Sequence, residues 1–159
     1  MKKVILLIAI TGICLFASAQ EKSQSAIGLR FGLGTDYIGE ISYQQALNTN
    51  RMELDLGWGG GRYWKGWTFT GLYQWVMPIE SGFYWYLGAG PALGYWTEKR
   101  NFYENDGGLY LAASVNVGAE YRFAEIPLQL AIDYRPEFGL INRLKAYGGG
   151  FGIAVRYCF

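Results

Sequence analysis

Sixteen consecutive residues, GLYLAASVNVGAEYRF (108–123), alternate without a break. Leu109, Leu111, Ala113, Val115, Val117, Ala119, Tyr121 and Phe123 fall on one side. Tyr110, Ala112, Ser114, Asn116, Gly118, Glu120 and Arg122 fall on the other. A period of two over that length is the geometry of a β-strand, because a helix would scatter the same apolar residues around its circumference. A strand this long, apolar on one whole face and charged on the other, needs an apolar environment outside one face and polar company for the other.

The pattern recurs in seven more segments: 26–34, 40–47, 52–59, 67–76, 83–96, 128–135 and 151–159. The connections between the eight segments alternate too. Those after the second, fourth and sixth are short and turn-like: Asn48-Thr49-Asn50, Pro78 to Gly82, and Ala124 to Pro127. Those after the third, fifth and seventh are longer: 60–66, 97–108 and 136–149. This arrangement predicts an all-β fold, an eight-stranded antiparallel up-and-down transmembrane β-barrel with tight turns at one end and longer loops at the other. Two places resist the pattern. Pro91 sits inside the fifth strand, where its missing N–H predicts a bulge. The fourth strand loses phase at Gly71-Leu72.

Alternation alone does not say which face points outward, and a secreted lipocalin-like carrier would point its apolar face inward. Here the polar face mixes charges with Gly and Ala. That suits the crowded interior of an eight-stranded barrel better than a soluble outer surface. Aromatics also cluster where strands end. Tyr73, Trp75, Phe83, Trp85, Tyr121, Phe123, Tyr157 and Phe159 lie near the short turns, and Trp58, Trp67, Phe69, Tyr95, Tyr134 and Phe151 near the longer loops. Aliphatics such as Leu87, Leu111, Val115, Leu130 and Ile153 lie between them. Two aromatic girdles around an aliphatic band match the two interfaces of a bilayer.

The first 19 residues read as a cleaved signal peptide: Lys2 and Lys3, an apolar run from Val4 to Phe16, then Ala17-Ser18-Ala19. Ile13 before Cys14 does not fit a lipidation site. Residues 20–159 then form one barrel domain, with 12 basic and 13 acidic side chains and a single cysteine, Cys158. That composition excludes an intramolecular disulfide and gives no reason to expect nucleic acid as a partner.

The final segment, GIAVRYCF, places Ile153, Val155, Tyr157 and Phe159 on its apolar face. With this ending the chain resembles the bacterial outer-membrane barrels, in particular the small eight-stranded group typified by OmpX and the membrane domain of OmpA. The resemblance is one of pattern over the whole mature chain, not a residue-for-residue match. It implies an outer-membrane location, a monomer, and a last strand whose Ile153, Val155, Tyr157 and Phe159 are read by the barrel assembly machinery as an insertion signal.

The chemistry available is narrow. With no histidine in the chain, His-dependent triads and His-based metal sites are ruled out, and no catalytic, cofactor or metal residues are expected. Glu53 and Asp55 read as structural charges. The glycines of Gly88 to Gly94 are followed by Tyr95-Trp96 where a nucleotide loop needs a helix. The inward face carries Glu40, Glu53, Asp55, Glu120 and Asp133 against Arg30, Arg122, Arg135 and Arg156, which predicts a paired network inside the barrel. A non-enzymatic surface protein is the expected function, with a small channel or porin as the alternative. Three basic pairs in the longer loops, Arg62 with Lys65, Lys99 with Arg100, and Arg143 with Lys145, form a candidate rim for outer-membrane lipid and lipopolysaccharide phosphates.

Overall fold

The computed structural model describes residues 25–33, 37–61, 64–98, 107–141 and 150–159. The proposed signal peptide lies outside them. The described residues form nine strands: β1 (Ser25–Leu33), β2 (Tyr37–Leu47), β3 (Asn50–Gly60), β4 (Trp64–Glu80), β5 (Phe83–Glu98), β6 (Gly107–Arg122), β7 (Leu128–Arg135), β8 (Glu137–Ile141) and β9 (Gly150–Cys158). Both β7 and β8 pair with β6, and a hydrogen bond from Val115 N to the Pro136 carbonyl (3.1 Å) joins their ladders. They are two halves of one barrel strand, separated because Pro136 has no N–H to donate.

From β1 to β7 each strand pairs antiparallel with the next, β7 pairs with β9, and β1 pairs with β9 to close the cylinder. That seam runs from Ala26↔Cys158 to Leu33↔Phe151, and Ser25 and Phe159 exchange backbone hydrogen bonds at 3.1 and 2.9 Å. Among the described residues every strand but β8 is paired on both sides. In hydrocarbon, where an unpaired backbone group costs several kcal/mol, only such a closed ladder is tolerated by strands.

The faces sort as the alternation requires. Ile27, Leu29, Phe31, Trp67, Phe69, Trp85, Leu87, Ile132 and Val155 stand exposed on the outside, while Arg30, Glu53, Gln74, Asn116 and Arg156 are buried inside. A water-soluble carrier would show the reverse. Ring contacts mark both ends of the apolar band. Phe83–Tyr121 (4.5 Å between centroids), Tyr121–Phe123 and Tyr73–Trp75 lie toward the short turns, and Tyr134–Phe151 (4.9 Å) toward the other end.

Four local expectations are corrected. The strands are longer than the alternation indicated: β4 begins at Trp64, leaving 61–63 as the connection where 60–66 was expected. Likewise β8 extends the seventh strand into the segment read as the loop 136–149. Pro91 causes no bulge. The β4–β5 pairs Thr70↔Ala92 and Tyr73↔Ala89 keep one register across it, and Pro91 itself pairs with Ala113. Small residues absorb the interruption, since the Gly71 carbonyl passes so close to Gly90 that a Cβ there would sit 1.9 Å from it. The register shift in β4–β5 falls instead between Pro78 and Glu80, beside the turn. Finally, β4 never loses phase: Leu72 is an apolar residue on the inner face, only 1% exposed.

A closed ladder of this kind has a simple signature. The folded protein should resist SDS and run at a different mobility from the boiled chain, because there is no free edge from which unpairing can start. Equal mobility before and after boiling of refolded protein would contradict closure.

Candidate functional site

The inner faces of β1, β2, β3, β6, β7 and β9 bring the charged residues together, because every charge sits at the inward parity of its strand. Arg30 in β1 donates from Nε to both carboxylate oxygens of Asp133 at 3.1 Å, and its Nη1 reaches Glu40 at 3.3 Å. Arg135 takes three acids at once. Its Nη1 donates to Glu40 (2.9 Å), and its Nη2 to Glu53 (3.1 Å) and Asp55 (2.8 Å). Arg156 donates from Nη2 to Glu53 (3.1 Å) and from Nε to the Ser42 hydroxyl (2.9 Å). All seven charged groups of this cluster are buried.

A second, smaller cluster lies nearer the short turns. Glu120 receives Arg51 Nη1 at 2.8 Å and Arg122 Nε at 3.0 Å, and the Gln129 amide at 2.9 Å. Neutral amides connect the two clusters: Gln129 also donates to Gln44 (3.2 Å), and Gln44 donates to Glu53. Arg51 was missed in the sequence. It sits 3% exposed, donates to Gln74, and lays its guanidinium 4.7 Å from the centre of the Tyr86 ring. The signal was available, since Arg51 shares the parity of Glu53 and Asp55 in β3. With Arg51 counted, five guanidiniums face these five carboxylates, and the half-buried Glu137 in β8 adds a sixth acid beside them.

The long side chains lie over glycines of neighbouring strands. A Cβ on Gly152 would sit 2.5 Å from the Arg30 guanidinium, one on Gly118 would sit 2.5 Å from the Tyr86 ring, and one on Gly94 2.3 Å from the Tyr110 ring. Each glycine therefore gives its neighbour the space of a side chain, which is why small and long residues share this face.

No family model matches the chain, and no curated protein does either. Solved structures do. The N-terminal β-barrel domain of Pseudomonas aeruginosa OprF superposes with a TM-score of 0.69 at 19% identity, over 88% of this chain and all of that domain. Neisserial surface protein A gives 0.64 at 15% identity, over 85% of this chain and 94% of its own. A de novo designed transmembrane β-barrel gives 0.52 at 16% identity, over 88% of this chain and 98% of the design. The chain has the fold of the small transmembrane barrels. At these identities the likeness extends to the fold, and residue roles rest on the geometry above.

The other sequence-derived candidates are placed as follows. Ile153, Val155 and Phe159 are exposed on the outer face of the last strand, and Tyr157 stacks against Phe159 with centroids 6.4 Å apart. Of the six rim cations, Lys65 is exposed on the outer face of β4 near its start, beside Trp67. Arg62, Lys99, Arg100, Arg143 and Lys145 lie outside the described residues. Among the described residues no group of three metal-ligating side chains converges.

Proposed function

We propose that the protein is a non-enzymatic barrel of the bacterial outer membrane whose lumen is closed by its own side chains, and whose activity resides in the connections at the end opposite the tight turns. The observation that carries this reading is Arg135. A buried guanidinium bridging Glu40, Glu53 and Asp55 ties β2 and β3 to β7 across the lumen, where a conducting pore needs open water. Arg30 and Arg156 add crossings from β1 to β7 and from β9 to β3. The location is supported by the outward apolar band with aromatic ends, and by the two bacterial barrels that share the fold. In this reading the lipid partners are the bilayer and, at the longer-connection end, lipopolysaccharide phosphates, for which Lys65 is the described candidate contact.

The experiment is conductance. Purified folded protein incorporated into planar bilayers should give no sustained ionic current at neutral pH. Stable, reproducible single-channel steps from the wild-type protein would support the porin alternative in its place.

A further inference from the structure

The two charge clusters are individually unbalanced. The larger one holds Arg30, Arg135 and Arg156 against Glu40, Glu53, Asp55 and Asp133, more carboxylates than guanidiniums. The smaller one holds Arg51 and Arg122 against the single carboxylate Glu120, one positive charge in excess. The end of the interior where guanidiniums outnumber carboxylates lies at the short-turn mouth.

That mouth opens into a cavity of about 370 Å3, bordered by Arg51, Arg122, Gln44, Gln129, Tyr84 and the turn residue Asn50. The volume is in the lower range of small-molecule sites. One of its two arginines is held in place from two sides: Arg122 stacks 4.7 Å over the Tyr84 ring, donates from Nε to a Glu120 oxygen at 3.0 Å, and brings Nη2 into ion-pair contact with the same oxygen at 2.8 Å. The side chain is 36% exposed, so its remaining N–H groups face the cavity and solvent. The amides of Gln44, Gln129 and Asn50 stand around it. Glu80 and Glu125 belong to this end of the barrel but do not border the cavity. A guanidinium fixed by stacking and by one carboxylate that it shares with Arg51, at the edge of a polar recess, matches the geometry of a planar or tetrahedral oxyanion.

We infer that the short-turn mouth is a binding site for a small phosphate- or carboxylate-bearing solute, with Arg122 as its anchor and Arg51 as the fixed charge behind it. The site does not depend on the proposed role of the protein, because a conducting barrel would have the same mouth. It is tested on the folded full-length barrel in detergent micelles, with 15N-labelled arginine. Inorganic phosphate and, separately, acetate are titrated against chloride at constant ionic strength. Saturable shifts of the Arg122 and Arg51 Nε–H resonances are expected with at least one of the two anions, the tighter one defining the class. In Arg122→Gln the Arg51 response should need about tenfold more anion or more. Arg122→Lys, which keeps the charge and loses the fork, should weaken binding by a smaller factor and serves if the glutamine variant does not fold. Shifts that rise linearly with anion, that chloride reproduces, or that persist unchanged in both variants would overturn the site.

Discussion

Replacing Arg135 with leucine should cost the folded barrel about 3–5 kcal/mol, the usual penalty for stranding buried charge by removing one partner. The effect should be large because the loss is shared unequally. Glu40 would retain Arg30 and Glu53 would retain Arg156, but Asp55 has no other ion pair among the described residues. Asp55→Asn in the same chain should therefore return part of the loss, since coupling between contacting charged groups runs about 0.5–3 kcal/mol. Arg156→Leu, which strands a share of Glu53, falls in the same 3–5 kcal/mol range. Urea unfolding of the barrel in lipid vesicles measures all three. Near-zero destabilisation in Arg135→Leu would mean that water solvates these carboxylates, and the closed-lumen reading would fall with it.

The second large effect is expected at the β1–β9 seam. A Cβ on Gly28 would sit 2.0 Å from the Val155 carbonyl oxygen and 2.6 Å from the Arg156 Cα. Both are backbone atoms of the paired strand, so no rotamer change relieves the clash and the ladder itself must part. Gly28→Ala should cost at least the 1–3 kcal/mol or so typical of overpacking, and should reduce the SDS-resistant folded fraction. Gly39→Ala is the control. Its Cβ would come no nearer than 3.9 Å to the Trp58 ring, so that variant should be neutral or gain roughly 0.5 kcal/mol from the stiffer residue. Equal behaviour of the two variants would show that the seam is looser than its geometry.

Much of the barrel was legible in the chain because strand geometry is strictly periodic. Once 108–123 is read as a strand, parity alone places Glu120 inside and Tyr121 outside, and the same step places Arg30, Glu53, Asp55 and Arg156. Where parity was not applied, the reading failed. Arg51 follows the turn at Asn48, a non-glycine residue with φ of 59°, and falls between that turn and the segment 52–59, although Glu53 and Asp55 carry its phase onward. Leu72 broke the expectation that inward residues are polar or small, and so looked like a phase error. Pro91 and Pro136 look alike in sequence as strand interruptions. Their outcomes differ because Pro91 follows Gly90, over which the Gly71 carbonyl passes closely and keeps the β4 and β5 backbones together, whereas Pro136 splits its strand into β7 and β8.

The sequence by itself determined which residues face inward, because facing depends on a repeat of two that neighbouring strands cannot change. It also determined that the inward set holds near-equal numbers of acids and arginines. Partner choice required the tertiary structure. Arg135 meets Glu40, Glu53 and Asp55 from 95, 82 and 80 residues away, and those meetings depend on strand register and on the curvature that brings β7 across from β2 and β3. The same holds for the glycines: alternation places Gly118 and Gly152 on the inner face, but only the stagger of adjacent strands sets Tyr86 over one and Arg30 over the other. Periodicity is a local property of a chain, whereas register is a relation between strands, and the two opposed charge clusters exist only through register.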